Sequence, residues 1–256
     1  MSHAAGICTA PRRNHPDSYL RLRGRKTLPS PPVRNNPVTA MGDKFPFRAR
    51  NPEHTKQLIL DAARVEFSRA GLAGARVDRI AETSGANKRM IYHYFGSKEQ
   101  LFTAVIEDAY SRIRGQEMQL NLDALAPQEA IRQLVEFTWE YYLANPEFIT
   151  LVNSENLHQA RHITGNRELR KLQKAYVETV EKILQRGEAA GVFRSGIDAL
   201  QLCITIAAIG FYYLTNRHTG SVIFGFNFTS RKALAARIEF NVETIMRMVL
   251  ACPDEA

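Results

Sequence analysis

The stretch Asn87-Lys88-Arg89-Met90-Ile91-Tyr92-His93-Tyr94 concentrates positive charge and hydrogen-bond donors. Ile91 and Phe95, four residues apart, share one face of a helix. Lys88, Arg89, Met90, Tyr92 and His93 are left to project outward, with Asn87 as the cap. An arginine fork matches the O6 and N7 acceptors of guanine in the major groove. Tyr92 and His93 can donate to phosphate oxygens. Lys98 falls in the first turn of the following helix, where free backbone N–H groups also favour an anion. Between Arg76 and Lys98 five cationic residues (Arg76, Arg79, Lys88, Arg89, Lys98) face two acids, Asp78 and Glu82. The chemistry this set supports is the reading of double-stranded DNA. The plainer account is a solvated face of a helical bundle.

Other constellations are weaker. Glu155, His158 and His162 stand at i, i+3 and i+7, a spacing that can hold zinc if one helix carries all three. Gly165 lies close by and no fourth ligand is evident, so no metal and no cofactor is expected. These residues are assigned instead to a pocket or a helix end. The second half is rich in aromatics (Phe137, Trp139, Tyr141, Tyr142, Phe148, Tyr176, Phe211, Tyr212), most of them core. A small-molecule pocket between bundle helices needs apolar walls and a few polar groups. Trp139, Tyr142, Asn153, Asn156, His158, Tyr176 and Phe211 are the candidates. No nucleophile–base pair and no phosphate-binding loop stands out, which argues against an enzyme. Cys8, Cys203 and Cys252 are far apart and show no metal or disulfide spacing, as in a reducing cytoplasm.

The elements that must position these groups are helical throughout. Asn51-Pro52-Glu53 reads as a helix start, and Ile59, Ala63, Phe67 and Ala70 follow at helical spacing until Gly71. A short helix over 77–83, a turn at Gly85, the helix capped by Asn87, and a helix capped by Ser97 come next. That fourth helix is expected to end near Gly115. Further helices are expected over 127–144, 146–159 and 166–191, then one from Ser195 or Asp198 to about Arg217 and one from Thr229 or Ser230 to about Leu250. The stretch 221–228 reads as a loop. The fold class is all-α, with about nine helices and no internal repeat.

Of the 256 residues, the first 50 hold ten lysines and arginines against two acids, and seven of the eleven prolines. The remaining residues are balanced at 24 of each sign, so the whole formal charge of +8 lies in that segment. Such a composition cannot bury enough surface to order itself, and residues 1–50 are expected to be disordered. It reads as a basic arm on DNA, a targeting segment, or sequence ahead of the true start at Met41. No run reaches the length of a membrane span: the longest apolar stretch, 200–214, is interrupted by Gln201 and Thr205.

Three short helices with a glycine turn before the third form a helix-turn-helix. The words Ile59-Leu60-Asp61-Ala62-Ala63, Phe67, Gly71, Val77, Ile80-Ala81, Gly85 and Ile91-Tyr92-His93-Tyr94-Phe95-Gly96-Ser97-Lys98-Glu99 resemble the N-terminal domain of TetR/AcrR-family transcriptional regulators. The segment from Asn145 to His158 and Asn216-Arg217-His218-Thr219 are similar to the uracil-regulator-like branch. The resemblance implies a helix-turn-helix domain over 51–97 and a helical ligand-binding and dimerisation domain over 98–256, linked by the helix 98–114. It departs from the family where Asn87-Lys88-Arg89-Met90 replaces Ser-Lys-Gly-Thr, and where Ala75-Arg76 replaces a hydroxyl cap. The implied function is a cytoplasmic, ligand-responsive homodimeric regulator, a repressor released from a palindromic operator by a small molecule. The rival is a chromosome-organising DNA-binding protein of the same fold. Apolar residues on more than one face of the last two helices suggest burial against a second copy.

Overall fold

The computed structural model describes residues 51–251, so the reading of residues 1–50 and of Cys8 and Cys252 falls outside it. Ten α-helices are present among the described residues, one more than the periodicity suggests. Helix α1 (Pro52–Gly74) starts where the Asn51 side chain accepts from the Glu53 N–H at 3.1 Å. Gly71, at φ +66°, breaks its regular course. Helix α2 (Val77–Ser84) ends at Gly85, also at φ +66°, a left-handed turn that suits a residue without Cβ. Helix α3 (Lys88–Phe95) is capped by Asn87, whose side chain accepts from Met90 N–H at 2.8 Å. Helix α4 (Lys98–Met118) is capped by Ser97 through the Gln100 N–H at 3.1 Å.

Two expectations about boundaries are corrected. Helix α4 runs through Gly115 to Met118, because that glycine is exposed and its neighbours Ile113 and Glu117 are buried. One glycine costs a helix only about 1 kcal/mol, which such burial offsets. The second correction concerns 221–228. After α5 (Pro127–Ala144), α6 (Pro146–Leu157), α7 (Arg167–Ala189) and α8 (Ala199–Thr215), the chain bends by 68° into a short α9 (Arg217–Ile223). Only the remainder of 221–228 is loop. The Phe228 ring packs against Gly220, where a Cβ would lie 2.9 Å from it, and the Tyr213 hydroxyl donates to the Phe228 carbonyl at 3.1 Å. Helix α10 (Arg231–Val249) closes the fold, capped by Ser230.

Two apolar clusters hold these helices. The first joins Ile59 and Phe67 of α1, Ile80 of α2, Ile91 of α3 and Leu101, Phe102 and Ile106 of α4, and continues to Trp139, Tyr142 and Phe148. Phe67 and Phe102 meet edge to face at 5.1 Å. The second joins Ile131 and Leu134 of α5, Val180 and Ile183 of α7, Leu202 and Ile206 of α8, and Ile245 and Val249 of α10. Each such side chain contributes roughly 1.5–3 kcal/mol of burial. Helix α4 therefore has its first half in the head, and it packs on α7 farther along. Phe193 closes the second cluster beneath α7 and forms an isolated antiparallel bridge with Leu250. No single described helix is long and apolar enough to cross a membrane.

Candidate nucleic-acid interface

Helix α3 is fixed by its inward residues: Ile91 is 2% exposed and Phe95 8%. Arg89, Tyr92 and His93 are exposed on the opposite side, as the sequence spacing requires, and Arg76 is exposed at the start of α2. The other residues of the expected set already have work within the fold. Asn87 spends its side chain on the cap. Met90 is half-buried against the core of the head, so it does not project freely. Lys88 is ion-paired with Asp78 of α2, and that hydrogen bond holds the Asp78 carboxyl below its ordinary range. The Lys98 ammonium donates to the carbonyls of Ala73 and Ala75, each at 3.3 Å, and so closes the end of α1.

Glu66 is a residue that sequence reasoning missed. It is buried at the end of α1, pairs with Arg69 at 3.0 Å and accepts from the Arg76 N–H at 3.1 Å. Burial raises its carboxyl, but the hydrogen bonds from Arg69 and Arg76 outweigh that and leave it below the usual range. The same carboxylate thereby fixes the first residue of the α2 turn. A charged carboxyl on the apolar stripe of α1 was the available signal.

The head is tied to the rest of the molecule by a further charge network. Arg112 of α4 bonds to Asp108 at 2.6 Å and to Asp61 of α1 at 2.8 Å. Arg64 of α1 reaches Asp61 at 3.3 Å and Glu147 of α6 at 3.5 Å. A shallow groove of about 350 Å³ beside it is lined by Arg64, Ser68, Glu147 and Thr150.

The expected pocket residues divide into two groups. Trp139, Tyr142 and Phe211 share one aromatic interior: Trp139 meets Tyr213 at 5.7 Å, and Tyr142 meets Phe211 at 6.1 Å. Tyr176 lies under the guanidinium of Arg114 at 3.9 Å. Asn153 instead bonds Thr215 at 3.4 Å, Asn156 is exposed, and His158 is the C-cap of α6. The metal spacing dissolves because α6 ends at Leu157, so Glu155, His158 and His162 do not share a helix. Glu155 is buried and binds His162 through Nδ1 at 2.7 Å and through the backbone N–H at 2.9 Å. The His162 ring then stacks edge-on against Phe102, so the three residues pin α6 to α4. No group of three or more potential metal ligands occurs among the described residues.

Residues 59–105 match the family of bacterial regulatory proteins of the tetR type, and residues 127–245 match a tetracycline repressor-like C-terminal domain. The HTH-type transcriptional repressor NicS of Pseudomonas putida is 38% identical over 204 residues, covering 80% of this chain and 96% of that protein. The chain belongs to the TetR family. It is a DNA-binding transcriptional repressor of that family and not an enzyme. The HTH-type transcriptional regulator RutR of Escherichia coli K12 is 42% identical over 59 residues, 23% of this chain and 28% of that one. A transcriptional regulator from Saccharomonospora viridis, solved in complex with choline, has the same fold: TM-score 0.60 at 17% identity, over 78% of this chain and 99% of that one.

Proposed function

We propose that the chain is a ligand-responsive, homodimeric repressor that leaves a palindromic operator when a small molecule enters its C-terminal domain. The division runs between residues 97 and 98, with α4 belonging to both halves mechanically. The observation that carries the DNA-reading part is the outward face of α3, where Arg89, Tyr92 and His93 are exposed on a helix whose other face is buried. Arg89 reads a base edge, Tyr92, His93 and Arg76 contact phosphates, and Lys88 joins them by exchanging Asp78 for the DNA.

The dimer reading is supported by α8. Leu200, Ile204, Ala208 and Tyr212, each four residues on from the last, are all exposed and form one apolar stripe. The apolar residues expected to double up on α10 behave otherwise: Val242, Ile245, Met246 and Val249 are buried within the subunit, and only Phe240 stands out as an exposed large apolar side chain on that helix. A second copy covering α8 sets two α3 helices about one DNA turn apart, roughly 34–36 Å, or a multiple of it. The setting is the bacterial cytoplasm, on the chromosome. Small-molecule release is supported by a C-terminal domain similar to that of a regulator solved with choline.

Selection of bound sites from a random duplex pool tests this reading. The expected product is one inverted repeat, bound by two copies and released by a compound from a metabolite screen. Binding to many unrelated sites with no small-molecule response overturns it in favour of a chromosome-organising protein.

A further inference from the structure

Beyond the bend at the end of α8 the chain ends α9 in an exposed apolar tip. Val222, Ile223, Phe224 and Phe226 are 83%, 77%, 69% and 50% exposed, four large apolar residues among five. A cluster of this kind on the surface of a soluble protein marks an interaction site. The tip cannot fold back, because the space beneath it is filled. Phe228 occupies the slot that Gly220 leaves open and meets the Tyr213 ring at 4.5 Å. Phe224 and Phe226 flank the Phe228 ring at 6.1 and 5.6 Å and stay exposed. Local bonds fix the shape. The Ser221 hydroxyl donates to the Arg217 carbonyl at 2.6 Å and accepts from the Phe228 N–H at 3.2 Å. The Phe224 N–H donates to the Gly220 carbonyl at 2.9 Å, and the Phe226 N–H to the Ser221 carbonyl at 3.3 Å. The tip is a built projection with its rings turned outward.

Its apolar surface is continuous with the α8 stripe. Phe228 joins it to Tyr213, the neighbour of Tyr212 on the stripe. The Arg237 guanidinium bridges Tyr213 at 5.2 Å and the exposed Phe240 of α10 at 5.4 Å. The stripe by itself is too small to hold two subunits together. Helix α8 has 17 residues. At about 1.5 Å per residue and about 10 Å across, its footprint is roughly 250 Å². A stable pair covers about 800 Å² on each side. A buried aromatic side chain supplies roughly 150–250 Å², so Phe224, Phe226 and Phe240, with Val222 and Ile223 beside them, go most of the way to the difference.

We propose that residues 222–226 are a clasp: each subunit's tip lies against the apolar face of a second copy, beside the contact between the α8 helices. Two-fold symmetry makes the contact twice. The inference rests on the homodimeric reading above and adds the surface that α8 lacks. Two subunits joined along a single helical row can pivot about it. Two clasps set apart from that row fix the angle between the bodies. The separation of the two α3 helices is thereby set in part by a segment outside the reading head.

The test uses the full chain. The Ile223→Ser/Phe224→Ser double variant is compared with wild type by sedimentation over a dilution series. Both side chains are exposed, so helical content is expected to be unchanged while the dimer Kd rises tenfold or more. Amide exchange over 222–226 is the second measurement and needs no change in the tip. It is expected to be severalfold slower in wild type than in Ile204→Glu, which interrupts the stripe. An unchanged Kd in the double variant, or equal exchange in a paired wild type and an unpaired Ile204→Glu, overturns the clasp and leaves the dimer standing. If the Kd is unchanged and wild type alone, not the double variant, sediments with phosphatidylcholine vesicles, the tip's occupant is a lipid surface and the clasp is overturned. A wild-type chain that never pairs removes both the clasp and the dimer.

Discussion

Arg89 owes its freedom to what its neighbours do. Lys88 is held by Asp78, Asn87 by the cap and Met90 by the core, which leaves Arg89 as the unencumbered cation at the start of α3. Arg89→Ala is expected to cost about 1–3 kcal/mol at the operator and to relax base preference at one position per half-site, read by binding to single-base variants. Asp78→Asn should act in the opposite direction. It releases Lys88 and removes a negative charge from the reading face, so non-specific duplex binding tightens and its salt dependence steepens. Unchanged salt dependence would show that the pair survives in the complex. A third expectation concerns Glu117. A carboxyl raised to about 7 in the folded state favours the protonated form there. Its contribution to stability is complete below about 4.5, the ordinary glutamate value, and is lost as pH rises through about 7. The loss is up to about 3 kcal/mol at roughly 1.4 kcal/mol per unit. Melting curves of Glu117→Gln should lack that decline between pH 4.5 and 7; parallel curves for both proteins would refute it.

Among the elements, helix starts were the most legible feature. Asn51, Asn87, Ser97, Asn166, Asp198 and Ser230 each cap a helix through a side chain that accepts from a backbone N–H two or three residues on. That bond is local, so it is written in consecutive residues. Helix ends depend on what the last turn packs against. Gly115 therefore misled, and the buried Arg114–Glu117 pair on either side of it went unseen. The exposed half of α3 was readable from spacing alone, whereas the bonds of Lys88 to α2 and of Lys98 to α1 needed the tertiary fold. Close packing also reverses a local preference at Gly187. In a helix interior alanine is better than glycine by about 1 kcal/mol. Here an added Cβ would lie 1.9 Å from the buried Phe193 ring. Gly187→Ala is expected to destabilise by roughly 1–3 kcal/mol, the usual cost of overpacking, with Phe193 and its bridge to Leu250 displaced. Chemical denaturation measures it, and a gain in stability would mean that Phe193 moves aside freely.

For the molecule as a whole, the pairing proposed through the α8 stripe implies a fixed stoichiometry on DNA. Ile204, 53% exposed, lies midway along it. Ile204→Glu is expected to shift the sedimenting particle from twice 28.9 kDa to the single-chain mass and to abolish operator binding while leaving the helical content intact. A wild-type particle already at the single-chain mass would remove the palindrome with it. The interior offers a way to watch these events. Trp139 is the chain's only tryptophan, 3% exposed, set against Tyr213 and the bare backbone of Gly210. Its indole emission is a native optical gauge of the body of the molecule. The signal starts blue, shifts to the red when water enters the bundle, and stays silent to events confined to the head. A regulator of this construction thus reports its own occupancy without a label. Operator titration and effector titration can be told apart in one cuvette, the first moving only the anisotropy of a dye-bearing duplex and the second moving the colour of the unlabelled protein.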